Sequence, residues 1–222
     1  MAIFKENLTS KILQKNCLVT LNKNFKNKID ILEIGCGNGN ISKFLIKNQK
    51  KKNFYYLSDI SNQAIELARK NIKYKNIEYK VGSTFYPWEK KFDFIISDVS
   101  SINDYVAKKS DWYSGVVCNS GADGLKNIRN ILKNIHKFLN NEVGIFICPI
   151  ISLCNEGKLI SMLKKTFVNV EFSKKIYWPL PHFFNKNLNT YLKLKKEKKI
   201  NFTTQFSLNI AYTYVAICKN NF

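Results

Sequence analysis

The sequence predicts an α/β fold, a doubly wound and mostly parallel seven-stranded sheet with an antiparallel C-terminal strand. Short apolar runs, typical of buried parallel strands, alternate with segments whose apolar residues recur at helical spacing. The pattern changes near the end, where segments 168–178 and 206–219 alternate and are rich in β-forming residues. Alternating strands and helices favour right-handed crossovers and helices on both faces of the sheet.

The individual elements follow from local patterns. Residues 29–34 form an apolar run that ends in glycines, which is typical of a strand. Ser61 is a suitable N-cap for a helix with one apolar face. The predicted strands are 29–34, 53–58, 77–81, 92–97, 142–151, 168–178 and 206–219, and the predicted helices are 8–21, 41–47, 61–73, 121–139 and 157–167.

The chain organisation predicts one domain. Residues 1–27 are expected to form an N-terminal helical extension, and residues 28–222 the domain itself. A polar, lysine-rich stretch separates the last two predicted strands, so we expect an insertion at about 179–205. The two strands that flank this insertion, 168–178 and 206–219, are expected to be antiparallel edge strands.

Composition indicates a folded globular protein, because 45% of the 222 residues are hydrophobic and 14% are aromatic. No apolar run approaches the roughly 20 residues that span a bilayer, and the first ten residues lack the core of a secretory signal. The six cysteines form no C-x-x-C pair and no cluster with metal-ligand spacing. We therefore expect a cytoplasmic protein with free thiols and no metal site.

The net charge of +20 raises the question of nucleic-acid binding. Nearly all the positive charge is lysine, since Arg69 and Arg129 are the two arginines. Arginine is better suited to bidentate phosphate and guanine contacts. A generally basic, solvated surface is the first interpretation, and a functional basic face built from runs 47–52 and 193–199 is the alternative.

A glycine-rich loop follows the first predicted strand. Gly35, Gly37 and Gly39 let the backbone turn sharply and approach a ligand closely. The dinucleotide fingerprint G-x-G-x-x-G would require glycine where Asn40 stands. Instead, Glu33 lies two residues before the first glycine. Such a loop could serve a dinucleotide or another nucleoside cofactor, and its spacing departs from the dinucleotide fingerprint.

Two further elements fit a nucleoside. Asp59 ends the second predicted strand, 20 residues past Gly39, where a carboxylate can accept hydrogen bonds from both ribose hydroxyls. Gly82 and Ser83 follow the third strand, where a side chain and a backbone N–H can reach an adenine edge. Together with the glycine loop, they predict an adenosine site.

Four segments of the sequence occur in an order and spacing that indicate a protein family. They are Leu32-Glu-Ile-Gly-Cys-Gly-Asn-Gly39, then the helix from Asp59 to Asn71, then Gly82, then Phe92-Asp-Phe-Ile-Ile-Ser-Asp98. In this order and spacing the chain resembles the class I S-adenosylmethionine-dependent methyltransferases, which have a Rossmann-like sheet. The resemblance implies S-adenosylmethionine as cofactor and S-adenosylhomocysteine as product.

The resemblance also implies roles for residues around this cofactor. Gly35 and Gly37 would pass close to its methionine part, and Glu33 would orient the ammonium group. Asp59 and Ile60 would hold the adenosine. The full cofactor-binding set that it implies is Glu33, Gly35, Cys36, Gly37, Asp59, Ile60, Gly82 and Ser83.

On the substrate side the chain resembles one particular family of methyltransferases but lacks its substrate-binding motif. The helix leaving Asp59, Gly82 and the segment 119–125 are similar to those of the release-factor glutamine methyltransferases. That family carries Asn-Pro-Pro-Tyr after its fourth strand, where the asparagine holds the substrate amide. This chain has Asp98-Val-Ser-Ser101 in register. We therefore expect the fold and the cofactor to be shared and the glutamine substrate to differ.

Asp98 and Ser101 are the candidate catalytic residues. An ionised aspartate only accepts hydrogen bonds, whereas asparagine both accepts and donates. Asp98 would therefore suit a substrate amine or hydroxyl, as acceptor or general base. The alternative is that Asp98 braces its loop.

Weaker candidates lie nearby. Asp104, Tyr105, Trp112 and Tyr113 would form either a lid with an aromatic wall or ordinary loop packing. His182 would be either a base or an exposed loop residue. We assign no role to His136.

The sequence thus predicts an S-adenosylmethionine-dependent methyltransferase that acts on an N or O nucleophile of a small molecule or protein. The alternatives are an RNA methyltransferase, suggested by the lysine runs, and a catalytically inactive methyltransferase-like subunit that binds a partner. The oligomeric state is left open.

Overall fold

A computed structural model describes residues 7–113 and 118–220. The nine strands in these ranges are β1 (Asp30–Ile34), β2 (Phe54–Asp59), β3 (Ile77–Val81), β4 (Phe94–Ser97), β5 (Ile145–Ile151), β6 (Asn169–Phe172), β7 (Ile176–Pro179), β8 (Thr203–Gln205) and β9 (Leu208–Lys219). The seven α-helices in them are α1 (Leu8–Asn24), α2 (Asn40–Asn48), α3 (Asn62–Asn71), α4 (Asp104–Lys109), α5 (Lys126–Phe138), α6 (Glu156–Thr166) and α7 (Leu188–Lys196). Short 3₁₀ helices occupy Asp111–Tyr113 and His182–Asn187.

The sheet confirms the predicted doubly wound fold. Its order is β3-β2-β1-β4-β5-β9-β6, and β7 and β8 also pair with β9. The strands β1 to β5 are parallel to one another, and β9 runs antiparallel to β5 and β6. The order reverses direction between β1 and β4, which is the switch point where open α/β sheets form a ligand crevice.

Two details differ from the prediction. Segment 168–178 divides into β6 and β7, because the regular pairing with β9 is interrupted at 173–175. The strand β9 lies between β5 and β6 and is not at the edge. Most of its side chains are buried, so it is covered on both faces.

The predicted helix at 121–139 begins later, at Lys126. Gly121 and Gly124 both have positive φ angles, 84° and 74°. They form a turn that glycine adopts without steric cost. This turn lies against the loop after β4, because Asp104 N–H donates to Gly121 O.

The core has a layer on each face of the sheet. One layer packs α5 and α6 against residues such as Leu32, Ile95 and Phe146. The other packs α1, α2 and α3 against Ile31, Leu57 and similar side chains. Apolar burial of this kind is the main stabilising contribution to such a fold.

The insertion at 179–205 is more ordered than a polar stretch suggests. It contains a 3₁₀ helix, α7 and β8. Phe184, Tyr191 and Phe202 from it pack with Ile102 and Leu153 in a third cluster. Since Ile102 and Leu153 follow β4 and β5, the insertion covers the carboxyl-end side of the sheet.

Within the described ranges, no helix is both long and apolar enough to cross a membrane.

Candidate cofactor and acceptor site

The carboxyl ends of four neighbouring strands bring the candidate residues together. Ile34 of β1 pairs in register with Ser58 of β2 and Ser97 of β4, and Asp59 pairs with Val81 of β3. The glycine loop, Asp59, Gly82 and Asp98 are the next residues along these strands. They therefore surround the crevice at the switch point.

The glycine loop is fixed to β2. The N–H groups of Gly35 and Cys36 donate to Ser58 O at 2.8 and 3.1 Å. Gly35 and Gly37 have φ angles of 71° and 53°, in the left-handed region that favours glycine. A Cβ on Gly35 would lie 2.9 Å from Val99 Cγ1, whereas a Cβ on Gly37 would meet nothing within 4 Å. The loop is thus packed on one side and open above Gly37.

Asp59 links the loop to the next helix. Its Oδ2 accepts from Gly37 N–H and its Oδ1 from Ser61 N–H, both at 2.9 Å. Its carbonyl accepts from Gly82 N–H at 2.9 Å, which ties the end of β3 to the same point. The next side chain, Ile60, is an apolar group with 77% of its surface exposed. The Asp59 carboxylate therefore lies next to the exposed apolar surface of Ile60.

Glu33 is buried beneath the loop. Its Oε2 accepts from both the backbone N–H and the hydroxyl of Ser42 in the first turn of α2. The pKa of Glu33 is raised to about 8, mainly by burial; the bonds from Ser42 oppose the shift, and the charges of Asp98 and Asp59 add to it. Glu33 therefore holds α2, and with it the glycine loop, in place.

The remaining cofactor candidates differ in exposure. Cys36 is buried in the core layer next to α2, and burial raises the pKa of its thiol well above the usual range. Its Sγ donates to Gly37 O at 3.7 Å. Ser83 is exposed, and Gly82 packs on Pro87, where an added Cβ would lie 2.9 Å from the ring. The backbone of Gly82 thus approaches Pro87 closely.

Asp98 receives a hydrogen bond from the N-terminal helix. Ser10 Oγ, buried in α1, donates to Asp98 Oδ2 at 2.8 Å. Desolvation raises the pKa of Asp98 to about 6, and the bond from Ser10 opposes that shift. No pattern in the sequence pointed to Ser10, which is 88 residues from its partner.

Ser101 faces into the protein. It is buried, and its Oγ donates to Gly124 O at 3.2 Å. This bond ties the loop after β4 to the turn before α5. The geometry favours a bracing role for Ser101 over contact with a methyl acceptor.

A pocket of about 240 Å³ lies at the N-terminal end of α1. Its walls come from the start of α1, the loops after β4 and β5, and the start of the insertion. Thr9, which lines it, precedes Ser10. Apolar lining side chains include Leu8, Ile102, Trp112, Leu153, Trp178 and Pro181.

The loop candidates are dispersed. Asp104 Oδ1 accepts from Ser120 N–H at 2.8 Å, and Tyr105 hydroxyl lies 3.4 Å from Asn187 Oδ1, so both brace the loop. Trp112 lines the pocket, and the side chain of Tyr113 lies outside the described part. The structure places His182 in the 3₁₀ helix of the insertion and His136 in α5, both exposed.

The model of a methyltransferase domain matches residues 25–201, most of the chain. The chain belongs to this methyltransferase-domain family. The match spans β1 to β7, the glycine loop, Asp59 and Asp98.

Individual relatives are more distant. The chain is 26% identical over 138 residues to a release factor glutamine methyltransferase of Streptococcus pneumoniae, a match covering 57% of this chain and 48% of that protein. The chain thus spans about half the length of this curated relative.

Two solved structures share the fold. One is a ribosomal protein L11 methylase from Lactobacillus delbrueckii subsp. bulgaricus, with a TM-score of 0.58, 13% identity and coverage of 99% of this chain and 82% of that one. The other is a TehB-like SAM-dependent methyltransferase from Corynebacterium glutamicum, with a TM-score of 0.51, 16% identity and coverage of 95% and 89%. At these identities the likeness establishes the fold.

The methyltransferase domain has groups that fit an adenosyl sulfonium. The space above Gly37 leaves room for a ligand against the backbone. Asp59 can accept from hydroxyls, and exposed Ile60 offers apolar surface to a base. Asp59 and Asp98, which both lie close enough to act on Glu33, place two carboxylates at the crevice of a protein whose net charge is +20. A cationic ligand is favoured in such a crevice.

Proposed function

We propose that this domain is an S-adenosylmethionine-dependent methyltransferase that acts on an N or O nucleophile of a small molecule or protein. The observation that carries the proposal is the arrangement across the crevice. The open glycine loop, held by Asp59, follows β1, and Asp98, held by Ser10, follows the neighbouring strand β4. A cofactor site and an acceptor site are thus adjacent.

The cofactor roles follow from this arrangement. Gly35, Cys36 and Gly37 present backbone to the methionine part, and Asp59 accepts from the ribose hydroxyls. Ile60, Gly82 and Ser83 flank the adenine. Glu33 acts by holding α2 and the loop. When bound, the cofactor supplies an electrophilic methyl group on a sulfonium.

Asp98 acts on the acceptor. Methyl transfer needs the nucleophile held in line with the leaving sulfur, so positioning and exclusion of water contribute much of the rate. The Asp98 carboxylate can accept the proton of a hydroxyl or amine, and a pKa of about 6 leaves it mostly ionised at neutral pH. The hydrogen bond from Ser10 fixes one of its oxygens.

The acceptor is expected to differ from that of the release factor relative. A glutamine amide needs a partner that also donates to its carbonyl oxygen, and ionised Asp98 only accepts. An amine or hydroxyl can donate a hydrogen bond to Asp98, and the carboxylate needs no other partner from the acceptor.

Calorimetric titration with S-adenosylmethionine tests the cofactor site, with micromolar binding expected. Asp98→Ala should slow methyl transfer while leaving cofactor affinity nearly unchanged. Absence of binding by the wild-type protein would instead support an inactive methyltransferase-like subunit. Equal loss of turnover and cofactor affinity in Asp98→Ala would remove Asp98 from the acceptor side.

A further inference from the structure

The lysines of this protein are concentrated at the ends of three helices. Segments 23–29, 47–53 and 70–76, where α1, α2 and α3 end and lead into β1, β2 and β3, contain three, four and three lysines and no acidic residue. We propose that these segments, which together form the amino-end face, bind the phosphodiester backbone of a nucleic acid. This inference is independent of the proposed methyl transfer.

The three segments form one continuous surface. They precede β1, β2 and β3, which are parallel neighbours in the sheet, so all three lie at the amino ends of these strands. Phe54 N–H donates to Ile29 O at 3.0 Å, and Ile29 N–H donates to Asn53 Oδ1 at 3.2 Å. Tyr74 hydroxyl donates to Asn53 O at 3.1 Å. These bonds join the first segment to the second and the second to the third.

The positive charge of the amino-end face is open to solvent. Lys51 is half-buried, and its Nζ donates to Phe25 O, whereas the other nine lysines are exposed. Within the part of the chain that the structure describes, none of these nine forms an ion pair with an acidic side chain. The nine are Lys23, Lys26, Lys28, Lys47, Lys50, Lys52, Lys70, Lys73 and Lys75.

The helix ends account for only part of this charge. The C-terminus of a helix carries a charge of about −0.5, so α1, α2 and α3 together offset about 1.5 lysine charges. Neighbouring strands lie about 4.8 Å apart, which is less than the screening length of about 8 Å at physiological salt. The lysines of adjacent segments therefore repel one another. A bound polyanion relieves this repulsion and gains further from the release of its counterions.

The side chains of this face favour a nucleic acid over a membrane. Every exposed side chain in the three segments is lysine or asparagine. Lysine contacts phosphate as a point charge, and asparagine can donate to phosphate and exchange hydrogen bonds with sugar. Stable attachment to a membrane surface requires apolar side chains as well. Phe25, Ile29 and Ile72, the aliphatic and phenyl side chains of these segments, are buried.

The amino-end face is remote from the crevice. It lies at the opposite ends of β1 and β2 from the glycine loop and Asp59, and the five residues of β1 span about 16 Å. The nucleic acid is therefore a docking partner and not the methyl acceptor. The lysine run 193–199, by contrast, belongs to the insertion on the carboxyl-end side of the sheet. The two runs that the sequence suggested as one basic face thus lie on different sides.

Fluorescence anisotropy with labelled oligouridine and oligodeoxythymidine of equal length tests this inference. The wild-type protein should bind both, with an affinity that falls steeply as salt is added. The triple variant Lys26→Gln, Lys50→Gln, Lys75→Gln removes one exposed lysine from each segment. Each phosphate contact on a single strand contributes about 0.7 to the slope of log K against log salt, so the slope should fall by about 2. Affinity at low salt should fall by about tenfold or more.

A matched triple variant in the insertion is the control. Lys193→Gln, Lys196→Gln, Lys198→Gln also removes three exposed lysines and changes the net charge equally. It should keep the wild-type affinity and slope. Thermal unfolding and calorimetric titration with S-adenosylmethionine should be unchanged in both triple variants. Absence of cofactor binding by the wild-type protein would refute the proposed function and leave the nucleic-acid result unaffected.

Three outcomes would overturn the inference. Equal weakening in the two triple variants would show a generally basic surface with no dedicated face. Failure of the wild-type protein to bind either oligonucleotide would exclude a nucleic-acid partner. Tighter binding to phosphatidylserine vesicles or to polyglutamate than to the oligonucleotides would assign the face to a membrane or to an acidic protein. Preferential binding of either oligonucleotide supports the inference, because both present the same phosphodiester backbone.

Discussion

The carboxylate of Asp59 accepts a 2.9 Å hydrogen bond from the backbone N–H of Gly37. A residue at the end of β2 thereby fixes the loop that leaves β1, and its second oxygen fixes the start of α3 through Ser61. The shape of the glycine loop depends on a side chain 22 residues away. Loop and carboxylate therefore form one unit.

Asp59→Asn should weaken S-adenosylmethionine binding by tenfold or more, equivalent to about 1.4 kcal/mol. The amide retains one acceptor oxygen for the two backbone N–H groups of Gly37 and Ser61, and it adds donors that face them. Calorimetry measures the effect. The control is Asp30→Asn at the opposite end of β1, where Asp30 pairs with Lys90. Equal weakening in both variants would contradict the role of Asp59.

Alanine at Gly35 and at Gly37 should have different consequences. Both residues have left-handed φ angles, so each substitution costs roughly 1–2 kcal/mol in backbone strain. Gly35→Ala adds a 2.9 Å approach to Val99 Cγ1, whereas Gly37→Ala meets open space. Urea unfolding should show the larger loss for Gly35→Ala, and calorimetry should show lost cofactor binding by a folded Gly37→Ala. A Gly37→Ala variant with unchanged affinity would place the cofactor elsewhere.

Ser10 is a positioning residue for Asp98. Its hydroxyl stabilises the ionised carboxylate, so Ser10→Ala should raise the pKa of Asp98 above about 6. The acidic limb of the kcat profile should then move to higher pH. Ser161→Ala on an exposed position of α6 is the control. A profile that keeps its midpoint while the overall rate falls would indicate a purely structural role.

Glu33 should make stability depend on pH. Its pKa is about 8 in the folded protein against 4.5 for an unperturbed side chain, so the folded state binds the proton more tightly. The associated stability is complete below pH 4.5 and is lost as the pH rises to about 8, on the order of a few kcal/mol. Glu33→Gln stays neutral and can still accept from Ser42.

The free energy of unfolding at pH 5 and pH 9 measures this effect. The wild-type protein should lose more stability than Glu33→Gln between these values. Exposed Glu142→Gln should follow the wild type. Parallel losses in all three proteins would show that Glu33 does not titrate in this window.

Local pattern was enough to predict the sheet and the cofactor loop. The glycines, Asp59 and Asp98 each end a strand, and parallel strands bring their carboxyl ends to one edge. The spacing of strands and turns therefore indicates which residues converge, before any tertiary contact is known.

Contacts between residues that are far apart in the sequence could not be predicted from local pattern. No local feature of α1 shows that Ser10 reaches Asp98 or that Leu8 and Thr9 line a pocket. Likewise, the alternation of apolar and polar residues in β9 fits an edge strand as well as an interior strand. Only its pairing with both β5 and β6 shows that β9 is an interior strand. The insertion was misleading because lysines separate its few core residues, so its composition indicated a polar stretch.

The turn between β8 and β9 offers a last prediction, on stability. Phe206 and Ser207 link the paired residues Gln205 and Leu208 and have φ angles of 49° and 61°. A two-residue hairpin turn with both φ angles positive strongly favours Asn-Gly. Phe206 is 97% exposed, so its replacement removes little packing. The double variant Phe206→Asn, Ser207→Gly should gain about 1 kcal/mol.

Urea unfolding measures that gain, and Tyr86→Asn is its control. Tyr86 is also a highly exposed aromatic residue, at 90%, but it is not among the residues with positive φ. If backbone strain is the cause, the control gains nothing, because asparagine relieves strain only where the left-handed region is occupied. A similar gain in both proteins would attribute the effect to removing an exposed ring. Unchanged stability of the double variant would show that the pairing of β8 with β9 already offsets the strain of the turn.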